Sequence, residues 1–139
     1  MKKILVLVQN YPNNIGGGAL MYVHVRNKYY IQHNIDVTVL SFSSNDDYII
    51  DNIKVITEDT YKKDNKKYDV VVSHAANIKN HYRFLKKYEN RFERMIFFFH
   101  GHEVVKINEV YPKPYDYMKK DGWIRIQAQN CYDQFKLSL

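Results

Sequence analysis

Lys3-Ile4-Leu5-Val6-Leu7-Val8-Gln9-Asn10-Tyr11-Pro12-Asn13-Asn14-Ile15-Gly16-Gly17-Gly18, residues 3–18, begins as an apolar run without a polar face and ends in a triple glycine. Such a run reads as a strand covered on both sides, the environment of a parallel sheet. With Lys2 and Lys3 ahead of it the run superficially resembles a signal peptide. However, Ile4 to Val8 is too short for a signal core and far short of the ~20 residues that span a bilayer. Residues 3–9 therefore read as a buried first strand.

Four more runs of this kind follow at 36–42, 53–57, 68–74 and 94–100. Those carrying Val37, Val39 and Leu40, then Val70 to Val72, then Met95 to Phe99 also lack a polar face, which predicts buried central strands. Between the first two strands, residues 19–33 place Leu20, Val23, Tyr30 and Ile31 near helical spacing. Between the last two, residues 77–91 do so with Ile78, Tyr82 and Leu85, continued by Phe92. Both segments read as crossover helices, whereas 43–52 and 59–67 read as solvated connections. After the fifth strand, Tyr111-Pro112-Lys113-Pro114 reads as a turn and 124–139 as a helix. The expected architecture is one α/β domain over 1–139: a Rossmann-like, doubly wound parallel sheet in the order 3-2-1-4-5 with helices on both faces.

The composition, 45% hydrophobic and 26% charged, is that of a globular chain rather than a disordered one. A formal net charge of +6 suits phosphate-bearing ligands or an anionic surface, although a general richness in Lys, Asn, Ile and Tyr accounts for part of it. The chain carries none of the aromatic and basic signatures of the common nucleic-acid folds, so no nucleic-acid partner is expected. Cys131 is the single cysteine, so no intrachain disulfide can form, and the cytoplasm is the expected compartment.

Glycines after a first strand either only shape the turn into the helix or let the backbone approach a ligand, where helix N–H groups favour phosphate. Two familiar uses fail on spacing. In the dinucleotide fingerprint G-x-G-x-x-G, Gly16 and Gly18 fit but Met21 takes the third position, and the second strand ends Leu40-Ser41-Phe42 without the ribose-binding acid. The phosphate loop of nucleotide triphosphatases needs a Gly-Lys-Ser/Thr that does not follow. Tyr-x-x-x-Lys spacings at Tyr82/Lys86, Tyr115/Lys119 and Tyr132/Lys136 are noise in a chain with 13 tyrosines.

Lys2 to Leu7, Tyr11-Pro12 with the triple glycine, Met21-Tyr22-Val23-His24-Val25-Arg26-Asn27-Lys28 and Val37-Thr38-Val39-Leu40 together resemble the opening of family 4 glycosyltransferases. So do Tyr68-Asp69-Val70-Val71-Val72-Ser73-His74 and Phe99-His100-Gly101-His102-Glu103. The resemblance implies the N-terminal domain of a GT-B fold, retaining hexosyltransferase of polysaccharide biosynthesis. Such an enzyme moves a sugar from a nucleotide-sugar donor to a glycan or lipid-linked acceptor and needs no cofactor or metal. It places Gly16, Gly17 and Gly18 near the donor phosphates, and His74, His100 and Glu103 on the acceptor side of the cleft; it names no catalytic residue. No pair among Glu58, Glu89, Glu93, Glu103 and Glu109 has the spacing of the two glutamates that mark the family's donor-binding domain. The expectation is accordingly of a truncated protein, inactive alone, with that second domain absent.

Two further readings stay open. His100-Gly101-His102 after a strand has a metal-site spacing, and His74 would complete a metal-dependent hydrolase. Lys79, Arg83, Lys86 and Lys87 fall near i, i+4, i+7 and i+8, a basic stripe suited to peripheral contact with an anionic membrane at the inner face of the cell. His24 and His33 read as ordinary residues of the first helix.

Overall fold

The computed structural model describes residues 1–14 and 21–99. In them β1 (Lys3–Val8), β2 (Asp36–Ser41), β3 (Tyr48–Ile50), β4 (Ile53–Ile56), β5 (Val70–His74) and β6 (Arg94–Phe98) form one mixed sheet in the order β3-β4-β2-β1-β5-β6. The helices are α1 (Met21–Gln32), α2 (Glu58–Lys63) and α3 (Arg83–Tyr88). A π-helical turn (Ile78–Tyr82) precedes α3 and a 3-10 turn (Glu89–Arg91) follows it. The turn expected at 111–114 and the helix at 124–139 lie outside the described residues.

The expected order 3-2-1-4-5 needs correction. β3 is an additional strand, paired antiparallel with β4 at the sheet edge, so the sheet is mixed rather than wholly parallel. The five parallel strands stand as β4-β2-β1-β5-β6. The cause is local: Asp51 and Asn52 both take positive φ, 48° and 64°, the left-handed pair that closes a two-residue hairpin. Residues 43–52 are thus not a plain loop. Nor are 59–67 wholly solvated, because α2 forms there. Thr57 caps it by accepting from Thr60 N, Glu58 and Asp59 lie in its first turn and Lys62 and Lys63 in its last, and Tyr61 is buried beneath it.

Strand alternation divides the core in two. Leu5, Leu7, Leu40 and Val71 face one side, where Tyr61 of α2 and Phe84, Leu85 and Tyr88 of α3 cover them. Val6, Val8, Val37, Val39 and Val72 face the other, under Val23 of α1. Leu5, Val6, Leu7 and Val8 have no exposed surface, as expected of the central strand. The fifth apolar run is not central among the described residues: β6 is the last strand of the sheet, and Ile96 stays 43% exposed.

Candidate functional site

In an open parallel sheet ligands bind beyond the carboxyl ends of the strands, at the point where the order of connection reverses. Here that point lies between β1, which passes through α1 to β2, and β5, which passes through α3 to β6. Gln9 follows β1, and His74, Ala75, Ala76 and Asn77 form the end of β5 and its exit.

The side chains at this edge are tied into one network. Gln9 Oε1 accepts from Asn77 Nδ2 at 2.8 Å and from Asn80 Nδ2 at 2.7 Å. Asn77 Oδ1 accepts from the backbone N–H groups of Asn80, at 2.9 Å, and His81, capping the π-helical turn. Because a backbone N–H can only donate, these bonds fix the orientation of the Asn77 amide, and through it that of Gln9. The acceptor oxygens of Gln9 and Asn77 are engaged inside the network, which leaves amide N–H groups and the Asn80 amide oxygen as its available polarity. No charged side chain takes part.

His81 lies beneath this network, fully buried, edge-on to Phe42 at 4.9 Å. Its Nδ1 accepts from Asn77 N at 3.2 Å, so the proton of the neutral ring sits on Nε2. Nε2 faces the Leu7 and His74 carbonyls without reaching hydrogen-bond geometry to either. Burial pushes the imidazole pKa down to about 4, so His81 is uncharged at neutral pH. The five-residue turn is what carries it inward: Tyr82 N bonds back to Asn77 O across the wide π step, a feature that recurs at functional sites.

His74, expected on the acceptor side, does lie at the carboxyl end of β5. Its ring is buried on the α1 face, stacked on Phe98 at 4.7 Å and edge-on to Tyr22. Ala75 beside it takes φ 48° and is held by a bond from its N–H to Phe98 O. A left-handed alanine costs on the order of 1 kcal/mol, and such strain collects at functional sites. Next to β1, Asn10, Asn13, Asn14, Ser44, Asn45 and Asp46 line an open cleft of about 620 Å³.

Gly16, Gly17, Gly18, His100, His102 and Glu103 lie outside the described residues. No group of three His, Cys, Asp or Glu side chains suited to a metal occurs among the described residues. Lys79, Lys86 and Lys87 are exposed on the second crossover helix, while Arg83 forks onto Glu58 at 2.6 and 2.7 Å. No helix among the described residues is long and apolar enough to cross a membrane.

The sequence reading passed over Asn77, Asn80 and His81, although an asparagine just before a helical run is a capping signal. His24, expected to be an ordinary residue of the first helix, is buried and bridges Tyr11 Oη at 2.7 Å and Asp51 Oδ2 at 2.9 Å, with Asn27 donating to Tyr11 Oη. His33 is exposed against Tyr29. Set against known proteins, the chain matches no family model, no curated protein and no solved structure.

Proposed function

We propose that this chain is a Rossmann-like, doubly wound domain on the acceptor side of a glycosyltransferase, which moves a sugar from a nucleotide-sugar to a glycan or lipid-linked acceptor. The observation that carries the reading is the uncharged Gln9–Asn77–Asn80 network at the reversal point between β1 and β5. Neutral amide donors and the Asn80 amide acceptor on a rigid base suit sugar hydroxyls, which a strongly charged edge would hold too indiscriminately. The resemblance to family 4 enzymes supplies the reaction class, and it implies donor phosphates near Gly16, Gly17 and Gly18.

The domain's part in that reaction is to bind and orient. His81 is neutral and buried and serves to set the Asn77 backbone; no side chain at this edge is assigned as a proton carrier. The test is amide NMR of the isotope-labelled chain titrated with uridine- and guanosine-diphosphate sugars and with simple hexosides. The expected result is saturable shifts grouped at residues 9–14 and 74–81, weakened by Asn80→Ala. Binding confined to another surface, or equal binding by the Asn80→Ala protein, overturns the proposal.

A further inference from the structure

At the opposite end of the sheet, where the strands begin, a cleft of about 490 Å³ opens between the connection after α2 and the 3-10 turn after α3. Its walls carry Lys66, Lys67 and Arg91, the amides of Asn65 and Asn90, and the buried ring of Tyr61, and among the described residues no carboxylate lines it. A volume of this size is that of a small-molecule site.

The cations differ in what holds them. Lys66 Nζ pairs with Asp36 at 3.0 Å, and the neighbouring Asp64 accepts from the Lys66 backbone N–H. Those two carboxylates are thereby turned to partners of their own. Arg91 is steadied by rings instead: its guanidinium sits 4.8 Å from the Tyr88 centroid and 5.8 Å from that of Tyr61. Tyr61 Oη also accepts a side-chain hydrogen bond from Arg91, and the remaining N–H donors of the guanidinium fork are left for a ligand. Among the described residues neither Arg91 nor Lys67 has a carboxylate partner.

Positive charge, fork geometry and amide donors around a tyrosine wall select a small phosphate ester or diphosphate, because two adjacent cations match a dianion and the guanidinium bonds phosphate oxygens in pairs. We infer that the cleft between Asn65–Tyr68 and Asn90–Arg91 is a binding site for a phosphorylated small molecule, separate from the edge at Gln9 and independent of the glycosyltransferase reading.

Inorganic pyrophosphate is the probe, titrated into the labelled chain at constant ionic strength, with the side-chain amides of Asn65 and Asn90 as reporters. Saturable shifts at both amides are expected, and Lys67→Gln, an exposed change, should weaken binding at least fivefold. Arg91→Gln should weaken it more. Arg91→Lys, which keeps charge but loses the fork, should fall between, with thermal melting confirming that each variant folds. Shifts spread over all lysine-rich surfaces without saturation, or unchanged binding by Lys67→Gln and Arg91→Gln, overturn the site. Pyrophosphate shifts at 9–14 and 74–81 alone overturn it too, while leaving the reading of that edge standing.

Discussion

On one face of the sheet Tyr61, Phe84 and Tyr88 meet ring to ring at 4.8 to 5.0 Å. On the other, the same strands present valines to α1, and a polar chain from Tyr11 through His24 to Asp51 runs through the packing. The difference teaches where this fold admits polar groups. The α1 face can hold a buried imidazole because a half-exposed carboxylate ends the chain and Asn27 shares Tyr11 Oη. The α3 face admits His81 only at its upper rim, and only uncharged.

The largest expected effect comes from opening the aromatic face. Phe84 is fully buried and contacts Phe42, Tyr61 and Tyr88. Phe84→Ala removes a ring that its neighbours cannot replace, at a cost of about 3–5 kcal/mol. On the α1 face, Tyr11→Phe keeps the ring and removes the hydroxyl that joins His24 and Asn27, costing about 1–3 kcal/mol. Urea unfolding of both variants with an unchanged m-value checks the order. An equal or reversed ranking would mean that the polar chain, not the rings, dominates the packing.

Acid provides the next contrast. His81 titrates near 6.5 in the unfolded chain and at about 4 in the fold. Between those values the unfolded state binds a proton that the native state does not, so stability falls as pH drops through the window and is fully present above it. The loss across the window is on the order of 3 kcal/mol. Replacing His81 by Gln keeps an acceptor for Asn77 N and removes the titration, so its unfolding free energy should fall less steeply between neutral pH and pH 4. Parallel acid limbs for the two proteins would contradict the assignment of the buried proton to this ring.

How far these features could be read from sequence depends on whether their signal is local. Val37 to Leu40 and Val70 to Val72 declare buried strands by themselves, because parallel strands lack a polar face. β3 was hidden although Asp51-Asn52 between Ile49-Ile50 and Ile53 is a hairpin signal, since the surrounding serines and aspartates masked it. The second crossover helix is legible, and of its expected stripe Leu85 is buried while Tyr82 and Phe92 pack half-buried on the same core; Phe84 and Tyr88 join them unannounced. Phe84 and Tyr88 are buried as well because the π turn shifts the phase that an ideal helix would keep. Of the candidate edge only His74 was legible in the sequence. The bonds from Asn77 and Asn80 to Gln9 cross 68 and 71 residues of sequence, and no local pattern reports such a pairing.

The smallest expected effect tests the outer surface of the α3 face. Of the four basic residues in its stripe, Arg83 is forked onto Glu58, whose carboxyl is held below its ordinary pKa by that guanidinium. The remaining three, Lys79, Lys86 and Lys87, have no carboxylate partner among the described residues. Glu58→Gln breaks a partly exposed pair, so the stability change should stay below about 1 kcal/mol. It also frees a fourth cation. If this helix faces an anionic membrane, each cation contributes about 1 kcal/mol, and the variant should partition onto phosphatidylserine vesicles about fivefold more strongly at low salt. Replacing Lys79, Lys86 and Lys87 together by Gln should abolish the binding. Co-sedimentation decides it: equal partitioning of the parent and Glu58→Gln proteins would leave the stripe a solvated helix face, with the Arg83–Glu58 pair serving only to join α2 to α3.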